Sequence, residues 1–487
     1  MYPRALIAAA LFMLSSQTVQ AIWVPRDTEE VDVERILRSM TIEEKVGQLL
    51  VVGFGGTTLD RHSQHWVAGR HVGGVALFSR NITDFEQTAR FARELHAATE
   101  GHIPLFLALD QEGGNVVRVK EGAMLLPGNM ALGATRSPTL AYVAGQALAI
   151  DLKRLGFNMN LAPVLDVNSN PQNPVIGIRS YGERAELVAE LGSWYVRGQQ
   201  EMGVVAVAKH FPGHGDTQTD SHYAMPSISA SLERLEGLEF LPFERSIKAG
   251  LDAVMTAHIS LPAVTGDRDL PATLSRVLLT DALRNKMNFK GIVITDGLEM
   301  QGIVQKYGSG RAAVLAILAG ADMPMILWTP KVKEQVYAEL LEAVDSGTIS
   351  SERLDQSVRR ILTIKAKRGL FSRKLANLET VLHNRNQNPI HDQVAKRIAR
   401  ESITLVRNHG DVLPLRGVRY RKIVVIAPGE FGKRLAQEPN TQVITIPYVP
   451  SRERRKKMPS LPSTWQRMPT CCSQLSLTVI TLGSCVR

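Results

Sequence analysis

The sequence predicts an α/β protein, a (β/α)8 TIM-type barrel followed by a partial α/β domain. Three observations point there. Eight short apolar runs alternate with amphipathic helical stretches between about Val46 and Leu327. Most of those runs are apolar throughout, as parallel strands covered on both faces are. The reactive side chains follow the C-terminal ends of the runs, where a barrel gathers its loops on one face.

The runs cover residues 47–54, 74–78, 105–109, 158–164, 204–208, 253–256, 291–294 and 323–327. The helices between them open on capping signals. Thr41-Ile42-Glu43-Glu44 and Thr83-Asp84-Phe85-Glu86 both fit a capping box, and Phe85, Ala89, Ala92 and Leu95 form an apolar helical face. Strands alternating with helices favour a parallel sheet, and eight of them favour a closed barrel. A helix at 351–367, with Leu354, Val358, Ile361 and Leu362 on one face, closes the barrel domain, which spans 22–375. Polar residues 376–390 read as a linker. A second unit opens at 391 with a helix near 391–407, a turn at 408–411 and a strand at 422–427, and its resemblance to a full α/β domain stops near 450. Residues 451–487 have no clear periodicity and read as disordered or as the product of a reading-frame change.

Composition excludes some classes. With 44% hydrophobic and 21% charged residues the chain is ordinary globular material. The first 21 residues read as a signal peptide: Arg4, then an apolar run from Ala5 to Leu14, then Val19-Gln20-Ala21 as a cleavage pattern. That run is too short to span a bilayer, so the expectation is an exported protein, periplasmic or extracellular, with no membrane span in the mature chain. Of the formal charge of +10, residues 451–487 carry +6, and with Arg4 set aside the rest carries +3. The body therefore has no basic bias that suggests nucleic acid. The three cysteines, Cys471, Cys472 and Cys485, all lie in the tail and receive no role. No cofactor and no metal are expected, and the chain is expected to be a monomer.

The most informative stretch is KHFPGHGDTQTDSH, residues 209–222, directly after a buried strand. Pro212, Gly213 and Gly215 make it a loop at the barrel mouth. His210, His214, Asp216, Asp220 and His222 are all possible metal ligands. Alternatively, Asp220 two residues before His222 can fix its tautomer for acid–base work, or the loop is merely solvated. Asp296, just past the run 291–294, emerges at the same mouth. It is either a helix N-cap or a nucleophile facing a proton donor, as in retaining glycoside hydrolysis. Asp110, in LALDQEGG, could grip two sugar hydroxyls, with Gly113 and Gly114 permitting close backbone approach. Lys209, His210 and Arg179 would donate to further hydroxyls.

The segments DQEGG (110–114), IRSYG (178–182), KHFPGHG (209–215), DSH (220–222), MTAH (255–258) and TDGLEM (295–300) together resemble glycoside hydrolase family 3, in the family's order, from about 35 to 430. The DSH element is similar to the β-N-acetylglucosaminidase branch; the β-glucosidase branch takes its acid/base from a Glu of the second domain. The resemblance implies an exo-acting, retaining enzyme that removes terminal N-acetylglucosamine from peptidoglycan- or chitin-derived saccharides. It implies Asp296 as nucleophile, His222 as acid/base and Asp220 as its partner. It implies Asp110, Arg179, Lys209, His210, Met255 and His258 as the sugar-binding set. Asn115 stands where the family commonly has an Arg. Three alternatives stay open: a phosphorylase, a metal-dependent hydrolase, and an inactive sugar-binding or truncated product.

Overall fold

The computed structural model describes residues 31–219, 225–372, 374–384, 389–405, 423–428, 441–446 and 478–481. Eight parallel strands close into a barrel in sequence order: β1 (Val51–Val52), β2 (Gly74–Leu77), β3 (Phe106–Leu109), β4 (Met159–Asn160), β5 (Val205–Phe211), β6 (Ala253–Thr256), β7 (Ile292–Gly297) and β8 (Met323–Ile326). β8 pairs back on β1, Val51 opposite Met325, which completes the ring. Nearly every strand residue is buried, as the unbroken apolar runs require of strands filled inside and covered outside.

Several element ends differ from the sequence reading, β4 among them, which spans two residues rather than 158–164. Residues 47–49 are helix, not strand. The Thr41 capping box forms, with Glu44 N–H on Thr41 Oγ1 at 3.2 Å and Thr41 N–H on Glu44 Oε2 at 2.9 Å. The helix Ile42–Leu49 then runs on, its apolar end mimicking a strand. At the helix Phe85–Ala97 the cap is Asp84 rather than Thr83, its carboxylate accepting Gln87 N–H at 2.8 Å. β5 and β7 are longer than predicted, so Lys209 and His210 lie on β5, not in the following loop, and Asp296 lies inside β7. Periodicity ends where polar side chains begin, but the sheet does not.

The helix Ser351–Lys367 has its predicted bounds and buries Leu354, Val358, Ile361 and Leu362. It is pinned to the N-terminal face of the barrel. Buried Asp322, before β8, takes Arg360 Nη1 at 2.9 Å, Ser357 Oγ at 2.7 Å and the Arg284 guanidinium. Buried Asp252, before β6, takes Lys367 Nζ at 2.9 Å and Arg368 Nη2 at 2.8 Å. On this face of a barrel such networks serve stability. Asp322→Ala strands buried guanidinium charge and is expected to cost about 3–5 kcal/mol, read from urea unfolding. A loss below about 1 kcal/mol, the scale of an exposed pair, would refute that reading of the hub.

Part of the expected linker is structured on the barrel. Helix Leu378–His383 is capped by Asn377 and buries Val381. Helix Pro389–Glu401, assigned above to the second domain, lies in the first compact unit, which extends to Ser402. It buries Ile398 and ties His391 Nδ1 to Asp151 Oδ2 at 2.9 Å. The second unit, residues 403–487, holds a three-stranded sheet in the order β10 (Thr441–Ile446), β9 (Ile423–Pro428), β11 (Thr478–Thr481). β10 runs parallel to β9 and β11 antiparallel to it. Residues 478–481 of the tail thus form a strand, where the sequence suggested none. The predicted signal peptide and the turn at 408–411 lie outside the described residues. Among the described residues no helix is long and apolar enough to cross a membrane.

Candidate active site

The segments after β3 and β4 and the end of β5 converge on a chain of alternating charges. Asp110, one residue past β3, accepts Lys209 Nζ from β5 on Oδ1 at 2.7 Å and Arg118 Nη2 on Oδ2 at 3.0 Å. Lys209 Nζ also sits 2.7 Å from Glu112 Oε1. Glu112 in turn takes the Arg179 fork, Nε on Oε2 at 2.9 Å and Nη2 on Oε1 at 2.8 Å. Three cations and two carboxylates therefore alternate along one line. Lys209 and Glu112 are almost fully buried, their side chains 3% and 2% exposed.

This pairing fixes every charge. Burial alone would raise the Asp110 carboxyl, yet Lys209 and Arg118 outweigh it and hold it well below the usual carboxylate range. Against the same burial, Lys209 and Arg179 hold Glu112 down to about 2. Lys209 stays above its ordinary value despite its own burial, because Asp110 and Glu112 face it. Such a line presents fixed donors and acceptors that pay no reorganisation when a polyol arrives, the arrangement that orients hydroxyls.

Glu112 and Arg118 were missed by sequence reasoning. Glu112 stands two residues from Asp110 in DQEGG, and alternation along an extended segment could have flagged it. Arg118 gives Asp110 the guanidinium that Asn115 cannot. Arg179 was expected to meet hydroxyls with its fork; instead the fork is spent on Glu112, which sets its orientation. Gly113 and Gly114 do allow a close approach, but to the chain itself: Gly114 N–H donates to Leu126 O at 2.8 Å. A Cβ on Gly113, whose φ is +94°, would lie 2.8 Å from Leu126 Cβ.

Asp166, after β4, organises the histidine motif. Its Oδ2 takes His210 Nδ1 at 2.7 Å, and its Oδ1 accepts the backbone N–H of His210 at 3.1 Å and of His214 at 2.7 Å. With Nδ1 donating to the carboxylate, Nε2 is left to meet a substrate hydroxyl. The segment past β5 is pressed onto the loop after β4. A Cβ on Gly215 would stand 1.7 Å from Val167 O, so no other residue fits there. His214 Nδ1 lies 2.8 Å from Thr217 Oγ1.

Burial, helped by the His210 ring 5.9 Å away, pushes His214 down to about 4, against a smaller upward pull from Asp166 and Asp296. Between that value and the ordinary 6.5 the unfolded chain binds a proton that the folded chain does not. Stability from this group is therefore complete above the window and falls with pH through it, by up to roughly 3 kcal/mol. Urea midpoints at pH 4.5 and 7 should converge in His214→Gln; an unchanged pH slope would sink the assignment.

Asp296, half-buried near the end of β7, has Oδ1 set by Gly297 N–H at 2.7 Å. It lies on the same rim as the charge line and within electrostatic reach of His214. His258 is fully buried, with Nε2 donating to Gly297 O at 3.0 Å and Nδ1 2.7 Å from Thr273 Oγ1. Both ring nitrogens meet protein atoms, so His258 braces the backbone beside Asp296. Met255 is 3% exposed within β6, opposite Ile294 of β7. Asp220 and His222 lie outside the described residues. Among the described residues no group of three or more His, Cys, Asp or Glu is placed to hold a metal ion.

Comparison with known proteins adds to this geometry. The family model described as "Glycosyl hydrolase family 3 N terminal domain" matches residues 41–364. "Beta-hexosaminidase A" of Pseudoalteromonas piscicida is 35% identical over 383 residues, 74% of this chain and 63% of that protein. The chain thus spans less than two thirds of that relative. "Beta-hexosaminidase" of Nitrosomonas eutropha is 36% identical over 319 residues, 63% of this chain and 90% of its own length. A solved glycoside hydrolase family 3 β-N-acetylglucosaminidase from Paenibacillus sp. str. FPU-7 superposes with a TM-score of 0.79 at 39% identity, covering 86% of this chain and 82% of that one.

Proposed function

This chain belongs to glycoside hydrolase family 3, and we propose that it is an exo-acting, retaining β-N-acetylglucosaminidase. The observation that carries the reading is the shared rim. The Asp110–Lys209–Glu112–Arg179 line, after β3 and β4 and on β5, and Asp296, on β7, lie at the C-terminal end of one barrel. A terminal sugar held by Asp110, Lys209 and His210 would present its anomeric carbon to Asp296. Relatives named for β-hexosaminidase and β-N-acetylglucosaminidase activity support the choice of sugar.

In this reading Asp296 attacks the anomeric carbon while protonated His222, oriented by Asp220, donates to the leaving oxygen. A glycosyl ester on Asp296 results. Neutral His222 then deprotonates water, which displaces Asp296 and restores the starting configuration. The substrate class we assign is peptidoglycan- or chitin-derived saccharide. Residues 1–21 support export, to periplasm or exterior, as the site of action.

The test is turnover of an aryl β-N-acetylglucosaminide beside the matching β-glucoside, with EDTA and with inorganic phosphate as separate additions. Release from the former alone, indifferent to EDTA and giving free sugar in phosphate, supports the reading. Sugar 1-phosphate as product would replace hydrolysis by phosphorolysis. Loss with EDTA would make a metal-dependent hydrolase the better account. Folded protein without turnover would make it a binding protein.

A further inference from the structure

One large aromatic side chain on the same rim has no part in the reaction so far. Trp328 follows β8 and is 42% exposed, while all four residues of β8 are buried. Its six-membered ring lies against Gly297. A Cβ built on Gly297 would meet Trp328 Cη2 at 3.2 Å and Cζ3 at 3.5 Å. Gly297 is the residue after Asp296, so the indole edge packs on the backbone position next to the nucleophile.

The backbone that carries this ring is held from both sides. The Glu299 carboxylate accepts the N–H groups of Leu327 at 2.6 Å, Trp328 at 2.7 Å and Thr329 at 2.7 Å. Arg80, from the segment after β2, donates to Leu327 O and to Phe54 O, both at 2.8 Å. Three bonds to one carboxylate and a bridging guanidinium make a rigid mount. A surface loop with no task needs no such mount, and leaving a large aromatic face to water forgoes the gain of burying it.

We propose that Trp328 is the platform on which the leaving part of the substrate stacks, the sugar residue next to the scissile bond. An exo-acting enzyme buries the terminal sugar in the mouth, so the next residue must lie outward of Asp296, against the rim. A β-linked N-acetylglucosamine ring carries its substituents equatorially and so offers a flat C–H face that an indole can cover without desolvating a hydroxyl. Trp328 is then a specificity residue, selecting saccharide leaving groups over small alcohols. The inference rests on the glycosidase reading above and adds to it the recognition of the second sugar.

The experiment compares methyl β-N-acetylglucosaminide with chitobiose and chitotriose as substrates of wild type, Trp328→Ala and Trp328→Phe. The methyl compound has the same kind of alkoxide leaving group but nothing to stack. In Trp328→Ala, kcat/KM on the oligosaccharides should fall roughly tenfold, mostly through KM. The loss should be absent on the methyl compound and largely restored in Trp328→Phe. Inhibition by free N-acetylglucosamine, which needs only the terminal-sugar site, should not shift. Equal losses on all substrates, or none on any, overturn the inference while wild-type turnover leaves the glycosidase reading standing. Wild type that cleaves none of these compounds overturns both.

Discussion

Asp296→Ala is expected to lower turnover of every β-N-acetylglucosaminide by on the order of 10⁴- to 10⁶-fold, the scale on which loss of a covalent nucleophile is felt. The cause is the loss of the ester-forming step, not loss of substrate. Asp110, Lys209 and Glu112 bind one another without Asp296, so the sugar line remains and KM should move far less than kcat. Two readouts separate this from general damage. A slow fluorinated N-acetylglucosamine donor should label wild type on the peptide carrying Asp296 and leave Asp296→Ala unlabelled. Azide, small enough to enter where the carboxylate was, should restore turnover in the variant and give a glycosyl azide of inverted configuration. Label on a different carboxylate, or residual activity above about 1% of wild type, far more than loss of a nucleophile leaves, would remove Asp296 from its role.

His222→Ala should show a different signature. A general acid is needed in proportion to the basicity of the leaving oxygen. Loss of about 10²- to 10⁴-fold is therefore expected on chitobiose and simple alkyl glycosides. Nitrophenyl glycosides, whose phenolate leaves unaided, should form the glycosyl enzyme at nearly the normal rate. The second step, which needs the same imidazole as base, then limits turnover, and a burst of phenolate should precede a slow steady state. Asp220→Asn should follow His222→Ala in direction with a smaller effect, since it removes the orienting carboxylate and not the ring. A burst rate on the nitrophenyl glycoside that falls as far in His222→Ala as turnover of chitobiose would show that this histidine is not the acid.

Much of this was legible in the sequence. The eight apolar runs announce buried parallel strands because a barrel strand is covered on both sides and cannot alternate. Asp110, Lys209, His210 and Asp296 stand where those runs end, and a barrel brings such ends together whatever its loops do. The helix Ser351–Lys367 is fully readable, since an amphipathic stripe and a serine cap are local properties. Local too is the error at 47–49, where a buried helix end and a buried strand look alike over a few residues.

Partner choice was not legible, and the reason is distance along the chain. Lys209 meets Asp110 across 99 positions, and Arg179 meets Glu112 across 67. No spacing rule relates such pairs. Only closure of the barrel decides that Arg179 spends its fork on Glu112, that Asp166 orients His210, and that His258 turns inward to brace Gly297. The rigid mount beneath Trp328 is of the same kind, a carboxylate from β7's end gathering amides from β8's end. The sequence by itself determined which chemical groups follow the apolar runs, because the change from apolar to polar side chains is a local property. The tertiary structure alone decided which of them pair with one another, because buried charges must find partners wherever the fold brings them.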